Sequence, residues 1–341
     1  MSLSYLDVRQ QSRQVWAQFG ESLWIPNAKE NVKLERENSW NLANVGLGKN
    51  LVLAAMGASL EKDIEAIKKN RDKIDVVTCD KAFGPLLDHG VKADYVILAD
   101  ASILPHWLDK WVEETKGVKL LSTPYANPNW TTRWKGPKYF YVNRDAIESE
   151  KIFLEIMGKN TRTIPAGSNV SNAMLVFFVG ADESNLVNFS AYERYLLTGY
   201  DYSWKPDGNY YAWNLPPFAS EDSVQDYIAK WKTPKRGYMT HRTLLDLNNE
   251  VRFTSENLLF SAKWLTQYIG AFRLPVVNCS DGGILQTDLR GNMEQELARI
   301  RPGAESKENV LKAFEALKIA DNNHRLALAE FSKAREEILW Q

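Results

Sequence analysis

Gly57 and Ser59 are the first residues whose types and spacing suggest a ligand site. They lie in the turn MGASL, directly after an apolar run. A glycine lets the backbone approach a ligand closely, and a serine that caps a helix leaves the first free N–H groups pointing at an anion. Leu60, Ile64 and Ile67 recur at helical spacing after the turn. The pattern is typical of a phosphate-binding turn, but without a Walker lysine it equally suits an ordinary strand-to-helix loop.

Two acidic residues end the next two apolar runs. Asp80 closes DVVTCD and Asp100 closes YVILAD, and both runs resemble buried parallel strands. A single acid in this place is often only a helix cap. Three successive strands that end in polar residues nevertheless favour a nucleotide site.

These side chains need a sheet that brings the strand ends together. Helix-like stretches alternate with the apolar runs, which predicts an α/β fold, a doubly wound Rossmann-like sheet with helices on both faces. Ligands bind outside the carboxyl ends of such strands, so Gly57, Ser59, Asp80 and Asp100 should share one crevice.

Three later loops present polar groups in a similar way. One precedes an apolar helix and offers a second helix N-terminus to a ligand, and the other two follow short apolar strands. Their candidate binding residues are Gly167, Ser168 and Asn169, then Asp201, and finally Asn278 and Ser280.

The composition sets broad limits. A chain of 341 residues with 44% hydrophobic and 25% charged residues can bury a full core. Its net charge of −1 gives no overall attraction to nucleic acid or anionic membrane. Cys79 and Cys279 end separate apolar runs and are interpreted as core thiols. With neither an apolar signal core nor an apolar run of membrane-spanning length, we expect a cytoplasmic protein.

Aromatic residues are concentrated in the middle of the chain, which holds many of its 12 Trp, 14 Tyr and 13 Phe. Rings in loops beside Asn, Asp and Gly suit stacking on sugars or bases, and they equally suit interior packing. Residues 200–242 are predicted to form an aromatic lid. Its end, the basic segment at residues 230–242, suits either a nucleic-acid backbone or a solvated surface.

The order of these motifs resembles the Rossmann-like domain of motility accessory factor glycosyltransferases, which is shared with an archaeal-type 6-hydroxymethylpterin diphosphokinase. The similar features are the G-x-S-L turn, the strand with an acid, the Gly-Ser helix start, the Gly-x-Asp strand end, a V-x-T helix start and an Asn-x-Ser-x-Gly-Gly strand end. They lie at residues 56–60, 78–100, 166–174, 199–204, 251–254 and 278–283. The resemblance covers residues 45–290, and its specificity lies in the whole series.

The resemblance implies a glycosyltransferase that moves a sugar from a CMP-, CDP- or UDP-linked donor to a hydroxyl on a protein or a glycan. The basic segment at residues 230–242 leaves a hydroxylated DNA base open as an alternative acceptor. The family is similar to single-Rossmann bacterial sialyltransferases, which implies that Tyr210 and Tyr211 steady the leaving phosphate and that His241 is the base. Asp201 is the rival base, because it ends a strand facing the crevice.

A divalent metal is left open. No zinc-type His or Cys spacing is present, so any metal would be Mg²⁺ or Mn²⁺ held by Asp80, Asp100 or Asp201 together with phosphates. Two alternatives to sugar transfer also remain: pyrophosphoryl transfer to a pterin, and a non-catalytic nucleotide-binding module. The long aromatic insert favours the glycosyltransferase, because a small pterin needs no such lid.

Three regions are predicted along the chain. Residues 1–44 form a helical extension, residues 45–290 the nucleotide-sugar-binding domain, and residues 291–341 a helical tail. The tail carries a heptad-like apolar stripe, which would pack on the core or form the seam of a homodimer.

Overall fold

The computed structural model describes residues 17–144, 147–167, 169–180, 189–206, 211–214 and 241–299. All of them fall within one compact unit, Met1–Ile300. The predicted boundaries after residues 44 and 290 stay predictions, and the heptad stripe of the tail lies outside the described residues.

Eleven strands lie in the described part of the chain. They are β1 (Asn50–Ala54), β2 (Ile74–Cys79), β3 (Tyr95–Leu98), β4 (Lys119–Ser122), β5 (Lys138–Asn143), β6 (Arg162–Ile164), β7 (Arg194–Thr198), β8 (His241–Leu245), β9 (Val251–Ser255), β10 (Val276–Asn278) and β11 (Leu289–Arg290). Nine form one parallel sheet in the order β11-β10-β7-β1-β2-β3-β4-β5-β6, and β8 pairs with β9 as an antiparallel hairpin.

The described residues also contain nine α-helices. They are α1 (Ile25–Asn31), α2 (Ile64–Lys69), α3 (Asp80–Asp88), α4 (His106–Asp109), α5 (Pro128–Thr131), α6 (Ile147–Met157), α7 (Val170–Val179), α8 (Glu256–Phe272) and α9 (Met293–Ala298). Shorter 3-10 segments cover Ser39–Leu42, Ala58–Asp63, Glu113–Thr115 and Ala212–Asn214, and a π-helical turn covers Gly20–Trp24.

Strand β1 lies at the point where the sheet reverses its order. The chain builds β1 to β6 outward in one direction and then returns to place β7 on the free side of β1. At the carboxyl end of β1, Ala54 is level with Thr78 of β2 and with Thr198 of β7. In an open parallel sheet this topological switch point is where ligands bind.

Both faces of the sheet are covered. Leu51 and Leu53 of β1 pack with residues of α7 and α8, whereas Val52 and Ala54 pack in a second cluster with Ile64 and other residues of α2. Since alternate side chains of a strand point to opposite faces, the two clusters lie on the two sides of the sheet. The predicted doubly wound α/β fold is therefore confirmed.

One predicted helix start is wrong. The segment 251–254, taken from the sequence as the start of a helix, is part of strand β9 and pairs with β8. Helix α8 begins at Glu256 instead, where the Oγ atom of Ser255 accepts a hydrogen bond from the Leu258 N–H at 3.2 Å. The β-branched Val251 and Thr254 suit the hairpin, and the serine stops it by capping the helix.

The aromatic side chains of residues 130–141 pack inside the protein. Trp130 and Trp134 are 0% and 1% exposed, and their indole N–H groups donate to Leu104 O and Val118 O at 3.1 and 2.9 Å. Rings that are buried with satisfied N–H groups are core residues, so this segment supplies no stacking platform for a ligand.

The other sequence predictions concern the two cysteines, membrane-spanning helices and the aromatic lid. Cys79 and Cys279 are buried free thiols, as predicted. No helix among the described residues combines the length and apolarity needed to cross a membrane. Residues 207–210 and 215–240, most of the predicted lid with the greater part of its basic segment, lie outside the described residues.

Candidate functional site

A crevice of about 420 Å³ opens at the switch point, and we call it the switch-point crevice. Its walls come from the loops that follow β1, β2, β3 and β7 and from the first turns of α7 and α8. Among the residues proposed from the sequence, it is lined by Gly57, Asp80, Asp100, Asn169, Asp201 and Tyr211. The strand ends therefore converge on one cavity, as the sheet topology predicts.

The turn at Gly57 holds a carboxylate that belongs to the protein itself. The Ser59 N–H donates to the Asp201 Oδ2 atom at 2.9 Å, and the Gly199 N–H donates to Ser59 Oγ at 3.2 Å. A Cβ atom at Gly57 would lie 2.3 Å from Asp201 Oδ2 and 2.5 Å from Gly199 O. Glycine is required here because the β1 and β7 loops touch at this point.

The prediction that Ser59 caps the helix after this turn is wrong. The turn leads into the 3-10 segment Ala58–Asp63, whose N-cap residue is Gly57, and no side chain caps it. Ser59 lies instead in the wall of a separate cavity of about 260 Å³. Because its N–H already donates to Asp201, that group is not free for a phosphate.

Asp201, in the loop after β7, is hydrogen-bonded to the loops after β1 and β10. Its side chain is 3% exposed, and its backbone oxygen accepts from the Ile284 N–H at 3.0 Å in the loop after β10. Within the described part of the chain, its buried Oδ1 atom accepts no hydrogen bond. Burial raises the pKa of Asp201, and the hydrogen bonds from Ser59 oppose that rise.

Asp80 and Asp100 form an acidic side of the crevice. Asp80 is the first residue of α3, is 4% exposed and accepts the Lys81 N–H at 2.7 Å through Oδ1. Burial, with a smaller contribution from Asp100, raises its pKa to about 6 although Lys81 lowers it. Asp100 is only half-buried, and its Oδ1 accepts from the N–H and the hydroxyl of Ser102 at 2.8 and 2.9 Å.

Two helix N-termini face the same crevice. At α7, Asn169 caps the helix by accepting from the Ser171 N–H at 2.8 Å. At α8, Asn257 and Leu258 of the first turn line the cavity. Both helix starts carry a partial positive charge, whereas Lys81, the one cationic side chain among the described lining residues, follows Asp80 in α3. This side of the crevice is therefore the better place for an anion.

Tyrosines form the remaining wall. The Tyr200 hydroxyl donates to Ser171 O at 2.7 Å, and the Tyr202 hydroxyl donates to the Asn172 side-chain oxygen. Burial raises the pKa of both hydroxyls, so both stay protonated near neutral pH. Tyr211 reaches the crevice because the next residue, Ala212, donates its N–H to Met56 O at 3.0 Å.

Three other predicted site residues stabilise the loops around the crevice without lining it. Ser280 Oγ accepts from the Tyr200 N–H at 2.9 Å, and Asn278 accepts from the Ser280 N–H at 3.0 Å. Gly167 has φ +59°, and a Cβ there would meet the Trp264 ring at 2.3 Å. None of these three residues is part of the described crevice wall.

Three predicted residues cannot be placed in the site. Ser168 and Tyr210 lie outside the described residues. His241 begins β8 and is paired through its backbone with Ser255, but its side chain is outside the description. Their predicted roles stay predictions.

The sequence analysis missed Lys81, Ser171, Tyr202 and Asn257. Lys81, Ser171 and Tyr202 each lie within two residues of a predicted site residue, so the sequence did carry a signal for their position near the crevice. Asn257 was missed because the helix start was placed too early in the chain.

In the described part of the chain, no three His, Cys, Asp or Glu side chains come together as a metal site. The predicted metal ligands Asp80, Asp100 and Asp201 all line the crevice, and a divalent metal there stays a prediction.

Residues 23–185 match the family described as 6-hydroxymethylpterin diphosphokinase MptE-like. Over 92 residues the chain is 30% identical to an uncharacterised protein of Treponema pallidum (strain Nichols), which covers 27% of this chain and 43% of that protein. The predicted resemblance to the MptE-like and motility accessory factor family is confirmed by the family match together with the structural likeness below.

The fold is similar to that of the solved MAf glycosyltransferase from Magnetospirillum magneticum AMB-1. The TM-score is 0.53 at 15% sequence identity, over 82% of this chain and 42% of that protein. The likeness shows a shared Rossmann-like fold, and the chain spans about two fifths of the length of both similar proteins. The family and the solved structure are both named for group-transferring enzymes.

Proposed function

We propose that the protein is a glycosyltransferase that binds a nucleotide-sugar in the switch-point crevice and transfers the sugar to a hydroxyl acceptor. The observation that supports this most is the convergence of two helix N-termini and three carboxylates on one crevice at the switch point. The helix ends suit the phosphates, and the carboxylates suit hydroxyl groups. The likeness to a solved glycosyltransferase supports the same reading.

The donor phosphates would lie near Asn169 and Asn257, at the N-termini of α7 and α8, with Lys81 as their counter-charge. This placement differs from the one expected from the sequence, because the Ser59 N–H already binds Asp201. Fixed N–H dipoles stabilise the negative charge that develops on the leaving phosphate. Protonated tyrosine hydroxyls such as that of Tyr211 can donate to the same group.

The acceptor hydroxyl must lose its proton to a base, for which His241 and Asp201 are the two candidates. Asp201 already binds Ser59 and is buried, whereas the side chain of His241 is undescribed. The acceptor itself, a protein, a glycan or a hydroxylated DNA base, stays a proposal. A homodimer through the tail likewise rests on the sequence pattern alone.

Pyrophosphoryl transfer from ATP is the second candidate function. It is favoured by the match to the diphosphokinase family over residues 23–185. Asp80 and Asp100 would then bind Mg²⁺ jointly with the ATP phosphates. A nucleotide-binding module without turnover is the third candidate.

Thermal-shift measurements with CMP, CDP, UDP, GDP and ATP, each with and without Mg²⁺, test these functions. A ligand that binds only the native state raises the midpoint of unfolding. Release of free nucleotide from the matching nucleotide-sugar would support sugar transfer, whereas AMP formation from ATP in the presence of 6-hydroxymethylpterin would support the diphosphokinase. Binding without either reaction would indicate a binding module, and no binding at all would contradict all three.

A further inference from the structure

We infer that the cavity of about 260 Å³ beside the switch-point crevice binds the acceptor, and that the acceptor is an uncharged, hydroxyl-rich sugar. This is the cavity whose wall contains Ser59, and we call it the second cavity. The inference rests on the proposed function, because an acceptor needs a donor bound in the crevice. It adds where the acceptor binds and to which chemical class it belongs.

The second cavity lies at the same edge of the sheet as the crevice. Its described wall comes from the loops after β1, β7 and β10 and from the β8–β9 hairpin. Asp201 lines both cavities, so a ligand in each would contact the same residue. Sugar transfer needs two ligands this close, because the acceptor oxygen must bond to the anomeric carbon as the bond from that carbon to the phosphate oxygen breaks. The proton of the acceptor hydroxyl passes to the base, and Asp201 is the candidate base that lies in both walls.

The described wall of the second cavity carries charges of both signs. Its cationic side chains are Lys62, Lys205 and Arg252. Its acidic side chains are Glu61, Asp201, Glu250 and Asp281. An anion would be repelled by the acids, and a cation would be repelled by the lysines and the arginine. A neutral ligand with several hydroxyls suits both, since a hydroxyl donates to a carboxylate and accepts from an ammonium or guanidinium group.

The same wall is unsuited to the other acceptors proposed for this protein. Ala58 is its one apolar residue, and no aromatic ring lies among the described residues that line it. A nucleobase is bound largely by stacking on aromatic rings, so a DNA base has no platform here. The volume is smaller than the roughly 300–1,000 Å³ typical of pockets for drug-sized ligands, so it fits one sugar ring rather than an extended peptide.

Arg252 is held in place by the protein itself. Its side chain is buried, Nε donates to Asp246 Oδ2 at 2.7 Å, and Nη2 donates to Glu250 Oε2 at 3.3 Å. Asp246 Oδ1 in turn accepts the N–H groups of Asn248 and Glu250 at 2.7 and 3.0 Å. Gly282, with φ +80°, packs against this pair, and a Cβ there would lie 2.5 Å from Nη2. A guanidinium group fixed in this way loses little conformational entropy when a ligand binds.

The lysines of the wall are held more weakly. Lys62 Nζ lies 3.9 Å from Asp281 Oδ2, which is beyond hydrogen-bond distance. Lys205 Nζ lies 3.0 Å from Glu250 Oε2, and both side chains are about half exposed. Exposed ion pairs of this kind contribute little to stability. Their removal therefore tests ligand binding without unfolding the protein.

The experiment measures the binding of four methyl glycosides, those of glucose, galactose, mannose and N-acetylglucosamine, by saturation-transfer difference NMR. Each is tested with and without the tightest-binding nucleotide of CMP, CDP, UDP, GDP and ATP. We expect at least one glycoside to bind with millimolar affinity, as for a ligand of about a dozen non-hydrogen atoms. The nucleotide should not displace it, because the two ligands occupy different cavities.

The double variant Lys205→Ala/Glu250→Ala tests whether the glycoside binds in the second cavity. It removes a donor and an acceptor from the wall together, and it should weaken glycoside binding by at least about tenfold while nucleotide affinity stays unchanged. The matched control is Lys110→Ala/Asp88→Ala, which removes an ion pair of similar exposure outside both described walls. The control should change neither affinity.

The nucleotide-sugars UDP-glucose, UDP-N-acetylglucosamine and CMP-N-acetylneuraminate test whether the cavity holds the sugar of the donor instead. We expect the double variant to bind them as the wild-type protein does. If it loses affinity for one of them but not for the free nucleotide, the donor sugar occupies the second cavity and the acceptor assignment is overturned.

The other outcomes separate this inference from the proposed function. If no nucleotide binds the wild-type protein, the proposed function fails and the acceptor assignment fails with it. If nucleotide binds but no glycoside does at millimolar concentrations, or if nucleotide displaces the glycoside, the inference is overturned while the proposed function stands. Glycoside binding that persists unchanged in the folded double variant also overturns the assignment of the second cavity.

Discussion

The Asp201 carboxylate accepts the Ser59 N–H at 2.9 Å, although 142 residues of chain separate the two. This bond joins the loop after β1 to the loop after β7, and the Gly199 N–H to Ser59 Oγ bond reinforces it. A turn that the sequence presents as a phosphate site is thus filled by an anion from within the protein. The joined loops form the floor of the switch-point crevice.

Removal of the Asp201 carboxylate should destabilise the protein. In Asp201→Ala the Ser59 N–H loses its acceptor, and we expect a loss of about 1–3 kcal/mol in the free energy of unfolding, measured in urea. Asp201→Asn keeps an oxygen acceptor and should lose clearly less. Equal stability of the alanine variant and the wild-type protein would show that this hydrogen bond is dispensable.

Turnover of the same two variants should distinguish a base from a loop support. A base is lost equally in Asp201→Asn and Asp201→Ala, so both should then be slowed by about a hundredfold or more with ligand affinity retained. If Asp201 only supports the loops, the asparagine variant keeps its activity, and His241→Ala should carry the large rate loss instead. A pH profile alone is a weak test of the two residues, because burial raises the pKa of Asp201 above its usual value.

Gly57→Val should damage the fold as well as ligand binding. The sequence alone predicts a folded variant that has lost only its phosphate contacts, but a Cβ at this position would overlap Asp201 and the backbone oxygen of Gly199. We expect a loss of at least about 1–3 kcal/mol in the free energy of unfolding.

Gly270→Ala is the control for that substitution. Gly270 lies within α8, and apart from its chain neighbours and the backbone of its own helix turn, a Cβ there would meet no atom within 4 Å. Alanine should be neutral or stabilise the helix by about 0.5–1 kcal/mol. If Gly57→Val matches this control in stability, the close loop contact is not what requires glycine.

Asp63 should make stability depend on pH. Its carboxyl is buried and accepts the Thr198 hydroxyl at 2.6 Å, and burial raises its pKa from 3.8 to about 6. Between these values the unfolded chain is ionised while the folded protein still holds the proton. Stability contributed by this group therefore falls as the pH rises from about 4 to 6 and stays low above that, by at most about 3 kcal/mol.

The variant Asp63→Asn removes this titration and keeps an acceptor for Thr198. Its free energy of unfolding relative to the wild-type protein should therefore rise between pH 4 and pH 6.5, as measured by urea denaturation at several pH values. A difference that stays constant across this range would mean that Asp63 titrates normally in the folded protein.

The sequence predicts the strand ends well and their contacts poorly. Strands that end in Asp80, Asp100 and Asp201 were recognisable because buried parallel strands are short, β-branched and followed by polar residues. The partner of Ser59 was not recognisable, because its acceptor comes from a distant loop whose position depends on the order of strands in the sheet. Residue spacing carries no information about that order.

The same limit explains why the sequence did not show the role of Tyr200 and Tyr202 and why the start of α8 was misplaced. Tyr200 and Tyr202 lie in an aromatic segment where packing and ligand contact look alike in the sequence. At α8, the β-branched residues of β9 and the helix that follows form one apolar run, so the start of the helix was misplaced. Each error concerns where a recognised element ends or what it touches.

The return of the chain to β7 also sets an order of events during folding. Contacts between Asn50 and Arg194 join the sheet across 144 residues, so the halves of the crevice floor meet only after a large loop closes. The segment that matches the MptE-like family, residues 23–185, ends before β7 begins. A nascent chain therefore has no complete switch-point crevice until Leu258, the last described residue of its wall, has left the ribosome.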